Sequence, residues 1–129
     1  MKLSTNFDSA EFDCKHCFQG GDAMHPNLIK LLEKLRADCG GFPLYINSGY
    51  RCNIHNANVG GVPNSQHVLK TAADVSPPQN MSVEEFCWYC DHCSIDGLKF
   101  DGVGYYSADN GNFVHVDVRY GGYGPRVEW

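Results

Sequence analysis

Two short segments of the chain carry residues that could bind a metal ion. His67 and Asp74 lie in the first segment, and His115 lies in the second. Two imidazoles and one carboxylate are ligands that catalytic zinc uses, and they leave a fourth tetrahedral position for water. A structural zinc is more often closed by four Cys or His ligands. The three residues therefore predict a catalytic Zn²⁺ site.

The residues around His115 alternate between apolar and polar. In a β-strand over 112–118 the three valines face one way, and Phe113, His115 and Asp117 face the other. The valine side suits a core, so the polar side is expected to face a cleft. Asp117 could then orient an imidazole by accepting its second N–H. The alternative is a surface strand with incidental polar residues.

The spacing of the first two residues excludes one helical turn as their link. Six residues separate His67 from Asp74, so a turn leading into a strand at 72–75 must bring them together. Two alanines precede Asp74, which is consistent with burial. A buried carboxylate without a partner is costly, and a zinc ion is one partner that would remove the cost. The alternative role for Asp74 is a helix or strand cap.

Four motifs, in order along the chain, resemble the signatures of the D-alanyl-D-alanine metallopeptidase family. They are Ser-Gly-Tyr-Arg at 48–51, Asn-Ser-Gln-His at 64–67, Ala-Ala-Asp at 72–74 and His-Val-Asp at 115–117. That family includes bacterial zinc D-Ala-D-Ala carboxypeptidases and dipeptidases, and the peptidase domains of phage endolysins. The resemblance runs from about Phe7 to Arg119. It implies a zinc peptidase that hydrolyses peptidoglycan stem peptides, with a hedgehog/DD-peptidase-like fold.

The resemblance also implies catalytic roles beside the metal. In the family the Arg of the first motif lies in the active-site cleft, so Arg51 is expected to bind substrate or stabilise an oxyanion, a surface salt bridge being the alternative. Many relatives carry an acidic general base three positions before the last His ligand. Here that position is Asn112, which cannot take a proton. Asp109 and Asp117 are the remaining candidates for the base.

Asn112 keeps a second, non-enzymatic function open. A relative without the acidic residue could retain the fold as a zinc-stabilised binding or virion component that does not turn over substrate. Asn112 is the feature that favours this alternative. Turnover of stem peptide would separate it from the peptidase.

Length and charge limit the classes of partner. The 129 residues fit a single zinc peptidase-like domain over 1–129, expected to be a monomer. A net charge of −5 argues against non-specific nucleic-acid binding, and no run of 18 apolar residues predicts a membrane span. The first residues lack the apolar core of a secretory signal. We therefore expect a protein that stays in the cytoplasm until lysis, or is delivered within a virion, and then acts on the cell wall.

The seven cysteines are an odd number, and without a secretory signal reduced thiols are expected. Cys14 and Cys17 form one C-x2-C motif, and Cys87, Cys90 and Cys93 extend a second. With His16 and His92 nearby, both have ligand spacing for a second, structural zinc. The alternative is that Cys87 and Cys90, on the apolar face of a helix, pack as small hydrophobic residues.

The pattern of apolar residues predicts an α+β fold. Its elements are a helix at 27–37, a strand at 43–47, a helical turn and loop over 51–66, a strand at 72–75, a helix from the capping box at 82–85 to about Cys93, strands at 98–106 and 112–118 joined by a turn at 107–111, and an irregular tail at 120–129. We expect a small, mostly antiparallel sheet with helices packed on one face.

Overall fold

A five-stranded sheet forms the centre of the structure, which the computed structural model describes over all residues 1–129. The elements are α1 (Pro26–Asp38), β1 (Tyr45–Ser48), α2 (Asn53–Asn58), β2 (Ala72–Ser76), α3 (Val83–His92), β3 (Ser94–Ile95), β4 (Leu98–Lys99), β5 (Gly102–Tyr106), β6 (Phe113–Asp117) and β7 (Val127–Glu128). The sheet order is β1-β2-β6-β5-β7, and β3 and β4 form a separate hairpin. Only the β5–β7 pair is parallel. The predicted α+β class with a mostly antiparallel sheet is confirmed.

The core lies between the sheet and the helices α1 and α3. The valines of β6 are buried on this face, as their alternation predicted. The helix α3 packs on β5 and β6, and α1 packs on α3 and on the β3–β4 hairpin. The four leucines of α1 at the predicted helical spacing, Leu28, Leu31, Leu32 and Leu35, are all fully buried. Burial of such side chains contributes ~1.5–3 kcal/mol each before entropy is counted.

The ends of the two long helices follow from local chemistry. Pro26 occupies the first turn of α1, and the His25 side chain accepts the N–H of Asn27. The hydroxyl of Ser82 caps α3 by accepting the N–H of Glu85 at 3.1 Å. Of the predicted capping box, only this half is formed. No helix combines the length and apolar character needed to cross a bilayer.

Two predictions at the end of the chain are wrong. The strand predicted over 98–106 is divided at Asp101, whose buried carboxylate accepts three backbone N–H groups, from Tyr120, Gly122 and Gly124, at 2.8, 2.8 and 2.9 Å. These bonds fold the tail back over the sheet. The tail is therefore not wholly irregular, because its last residues form β7 beside β5.

Candidate active site

The sheet register and one loop bring the three predicted metal ligands together. Asp74 in β2 lies directly opposite His115 in β6, and His67 comes from the loop before β2. One oxygen of Asp74, Oδ1, is 3.1 Å from His67 Nε2 and 3.1 Å from His115 Nδ1. All three ligand atoms lie within 4.8 Å of one another. The turn predicted between His67 and Asp74 is present.

Hydrogen bonds fix the tautomer of each imidazole. His67 donates its Nδ1–H to the carbonyl oxygen of Gly49 at 2.8 Å, which leaves Nε2 as the free nitrogen. His115 donates its Nε2–H to Asp117 Oδ2 at 2.9 Å, which leaves Nδ1 free. The other nitrogen of each ring points to Asp74: in the neutral ring it carries a lone pair directed at this point, and in the protonated ring it donates to the carboxylate.

This donor set fits zinc. Two imidazole nitrogens and a carboxylate oxygen converge, and both imidazoles are already oriented by acceptors that suit metal-bound histidine. The side chains of His67, Asp74 and His115 are mostly buried, at 4%, 10% and 12% exposure, and all three line the cleft, so one side of the site is open to it. An open side is what a catalytic site needs and a closed structural site lacks.

The charges of the site are tightly coupled. Burial alone would raise the pKa of Asp74, but hydrogen bonds from His115 and His67 outweigh it and hold the pKa well below its usual range. Burial alone would lower the pKa of His115, but the bonds to Asp117 and Asp74 outweigh it and raise the pKa. A protonated His115 therefore competes with a metal ion, and metal binding is expected to release a proton.

Asp117 lies behind His115 and is completely buried. Its carboxylate accepts from His115 Nε2 and from Arg119 Nε and Nη2, the last at 2.8 Å. Burial raises its pKa, but the bonds from His115 and Arg119 outweigh it and lower the pKa to about 2. The carboxylate thus faces the nitrogen of His115 that points away from Asp74, in the orienting position that the strand alternation predicted.

The other acidic candidate lies outside the cleft. Asp109 is exposed on the 3-10 turn at 108–110 that joins β5 to β6, and it does not line the cleft. Asn112 is also exposed, with a left-handed φ of 56°. Asp74 is the only carboxylate side chain among the residues that line the cleft. Asp109 therefore lies outside the group of side chains that surrounds the three predicted ligands.

Arg51 lines the cleft and is bound within it. Its guanidinium donates to Asp74 Oδ2 at 3.4 Å, to Asn56 Oδ1 at 3.1 Å and, through Nε, to Ser48 Oγ at 3.3 Å. Its side chain is only 14% exposed. The salt bridge considered as the alternative is present, but it is mostly enclosed in the cleft and pairs Arg51 with a predicted metal ligand, so it does not lie on the surface.

An aromatic wall, formed by Tyr106, Phe113 and Trp129, borders the cleft of about 370 Å³. The ring of Trp129 lies 4.9 Å from that of His115, and its indole N–H donates to Tyr106 Oη at 3.1 Å. Tyr106 and Phe113 stack with ring centres 4.5 Å apart. No sequence pattern predicted a role for this wall or for Arg119. Continuing the alternation past Asp117 would have found Arg119, but no local signal pointed to Trp129.

Gly104 leaves the space that Trp129 occupies. It lies opposite His115 in the sheet, and a Cβ atom at this position would overlap the indole ring. We expect Gly104→Ala to displace Trp129 from the cleft while zinc content stays unchanged, because no ligand moves. The indole N–H resonance of Trp129 in NMR spectra should shift, with that of Trp88 as the internal reference. If Gly104→Ala changes KM, it should do so through the displaced indole ring alone. In a Trp129→Ala background the same substitution should therefore leave KM unchanged, and an additive change in KM would contradict the displacement.

The three cysteines of α3 and its end do not converge on a common point. Cys90 and Cys93 are buried in the core, and burial raises the pKa of Cys93 to about 12. Cys87 is partly buried, and burial raises its pKa to about 11. Protonated, buried thiols are poor metal ligands, so the small-hydrophobic interpretation holds for this group.

A known family matches the segments that carry the site. The family model of Peptidase M15 matches residues 5–117, which include the three ligand positions and Arg51. No curated protein sequence matches the chain. The family consists of zinc-dependent metallopeptidases, and the two imidazoles and one carboxylate fit that metal. The match covers most of the chain and confirms the resemblance drawn from the four motifs, and this protein is therefore a member of the Peptidase M15 family.

Proposed function

We propose that this protein hydrolyses peptide bonds in peptidoglycan stem peptides, as a D-Ala-D-Ala carboxypeptidase or as an endolysin-type endopeptidase. The observation that carries the proposal is the convergence of His67, Asp74 and His115 on one point with both imidazole tautomers fixed. These three residues would hold a zinc ion, which would supply Lewis-acid chemistry for polarising a scissile carbonyl and acidifying water. The open cleft provides access for an extended peptide.

The cleft side chains can orient such a substrate. Arg51 and Arg119 place two guanidinium groups on the lining, where they suit the carboxylate of a stem peptide or the charge that develops on a carbonyl oxygen. Arg51 also holds Asp74 Oδ2, so it can position a predicted ligand and the substrate together. The net charge of −5 gives no attraction to an anionic wall, and recognition must come from the cleft.

Asp109 and Asp117 are the two acidic residues considered as the general base that takes a proton from water. Both oxygens of Asp117 are taken by His115 and Arg119, and we assign it an orienting role. Asp109 is exposed and its carboxylate is not held by another side chain, so we propose it as the base. This role requires the turn at 107–111 to move toward the cleft.

Asp109 and Asn112 form a matched test of that assignment. We expect Asp109→Asn to lower kcat more than about tenfold, at unchanged zinc content and thermal stability, because the exposed side chain holds no structural partner. Zinc content and turnover of stem peptide would be measured side by side. An active wild type that is indifferent to Asp109→Asn would move the base to another residue without affecting the peptidase proposal.

A second candidate function rests on the lack of a further acidic side chain in the cleft. Asp74 is the only carboxylate lining the cleft, and Asn112 stands where relatives carry an acid, which favours a non-catalytic zinc-stabilised binding or virion component. If this is the function, the zinc-loaded wild type will be inert, and Asn112→Asp is expected to create activity by returning a carboxylate to that position.

Arg51→Ala tests the cleft role of the guanidinium. We expect kcat/KM to fall more than tenfold, or over ~1.4 kcal/mol of transition-state stabilisation, with zinc still bound. Arg51→Lys is expected to restore little, since Ser48, Asn56 and Asp74 are reached by three different guanidinium nitrogens, and the single nitrogen of a lysine cannot match that spread. Normal activity per folded molecule, combined with a lower melting temperature, would show instead that Arg51 serves only folding.

The decisive experiment uses purified peptidoglycan fragments of several wall chemotypes. Mass analysis after incubation with zinc-loaded protein would identify the bond cut and separate loss of a terminal residue from internal cleavage. His115→Ala serves as the negative control. Intact fragments across all chemotypes, with zinc present in the protein, would overturn the proposal.

We further propose that the protein is a monomer that meets the wall at lysis or from a virion.

A further inference from the structure

A second group of metal-ligating side chains lies outside the cleft. The Sγ atoms of Cys14, Cys17 and Cys52 lie within 4.8 Å of one another. His16 Nδ1 is 3.6 Å from Cys52 Sγ. Ligands at a tetrahedral zinc with ~2.3 Å bonds to sulfur stand ~3.8 Å apart, so the three sulfur atoms have the spacing of one zinc site, with His16 beside Cys52.

Backbone N–H groups already point at these sulfur atoms. Cys14 Sγ accepts from the N–H groups of His16 and Cys52, each at 3.4 Å. Cys52 Sγ accepts from the N–H of His55 at 3.4 Å. Donors of this kind stabilise the thiolate form that metals bind, and they orient the sulfur lone pairs. The arrangement is that of a ligand group with its supporting hydrogen bonds in place.

Core packing does not account for the group. Cys90 and Cys93 lie in the core cluster with other hydrophobic side chains, whereas Cys17 and Cys52 are only partly buried. All seven cysteines are free in the structure. A disulfide would use two of the three converging thiols and leave the third, with the imidazole beside it, without an explanation.

We propose that Cys14, Cys17 and Cys52, with His16 as the fourth ligand, bind a second, structural Zn²⁺ ion. Each thiol loses its proton to solvent as its bond to zinc forms, and neutral His16 binds through Nδ1. Three thiolates and an imidazole fill a tetrahedral shell and leave no position for substrate. The site is therefore closed, in contrast to the cleft.

The ion would join two segments that the cleft depends on. The C-x2-C motif follows the 3-10 turn at 9–12, while Cys52 immediately follows Arg51. The same segments already meet where the N–H of Tyr50 donates to the carbonyl of Phe12 at 2.9 Å. Gly49 immediately precedes Tyr50 in this contact, and its carbonyl oxygen accepts the Nδ1–H of His67. A zinc crosslink would hold this frame in place without touching the substrate.

Zinc content of matched variants tests the proposal independently of activity. We expect about two zinc ions per wild-type chain, and a loss of one in Cys17→Ser and, separately, of one in His115→Ala. The double variant should contain none. Cys87→Ser is the matched control, a partly buried cysteine outside the group, and should keep both. A wild type with one zinc that only His115→Ala removes would overturn the second site and leave the proposed function standing.

Cobalt substitution protects the test against a variant that fails to fold. Wild-type protein and His115→Ala loaded with Co²⁺ should both show thiolate-to-cobalt charge-transfer absorption in the near ultraviolet, and Cys17→Ser should lose it. Absence of this absorption in the wild type, or a disulfide within the group found by mass analysis of unreduced protein, would overturn the proposal.

His16→Ala should weaken zinc binding at this site more than about tenfold in chelator competition, and unchanged affinity would remove His16 from the ligand set.

Discussion

His115→Ala is expected to release the zinc ion of the cleft and to abolish hydrolysis of stem peptides. The substitution removes one of three converging donors and leaves the buried carboxylate of Asp117 without its imidazole partner. We expect kcat/KM to fall by more than about a thousandfold, which corresponds to ~4 kcal/mol of transition-state stabilisation. Zinc per chain and turnover would be measured on the same preparation.

His92→Ala is the matched control for this loss. His92 is exposed at the end of α3, outside the cleft lining, and its replacement should change neither zinc content nor activity. His67→Ala and Asp74→Ala should reproduce the loss seen in His115→Ala. Unchanged zinc in single alanine variants of all three residues would show that the metal binds elsewhere.

Asp117→Asn is expected to weaken zinc binding and to destabilise the fold, although Asp117 is not one of the predicted ligands. The amide cannot accept from His115 and Arg119 as the buried carboxylate does. Loss of an orienting partner typically costs about 10–100-fold in metal affinity, and breaking a buried ion pair costs ~3–5 kcal/mol of folding stability. Chelator competition and thermal unfolding would measure the two effects.

The pH dependence gives this prediction a sign. The pKa of Asp117 is lowered from its usual 3.8 to about 2. The stabilisation from the ionised carboxylate is therefore complete above pH 3.8 and is lost as the pH falls toward 2. The stability difference between wild type and Asp117→Asn should narrow over that range. A stability gap between wild type and Asp117→Asn that is independent of pH would contradict the assignment.

The parts of the structure that sequence predicted are those governed by local periods. The leucine spacing located α1, and the period of two around His115 separated the core face from the polar face because a strand alternates by geometry alone. The ligand set followed from residue chemistry. The leucine and valine signals each lie within a few residues, so they needed no knowledge of long-range contacts, whereas the meeting of Asp74 with His115 depends on the pairing of β2 with β6.

The parts that sequence missed depend on contacts between distant segments. Trp129 reaches His115 because β7 pairs with β5, and the parallel pairing of a two-residue strand has no local pattern. Cys52 meets Cys14 only after the N-terminal segment folds against the residues that follow β1. The division of the strand at Asp101 likewise requires its three backbone donors from the tail.

The ring nitrogen that each histidine directs at Asp74 would determine which donor a bound metal ion loses first. His115 and Asp74 present their donors close to the backbone of β6 and β2, two interior strands that open only when the sheet unfolds. His67 comes from the loop before β2 and faces Asp74 with Nε2, the ring nitrogen farther from its backbone. A zinc ion held by these residues would therefore depend on the loop for one donor and on the sheet for the other two. Metal exchange should be faster than global unfolding and should respond to substitutions in the loop before it responds to substitutions in the core.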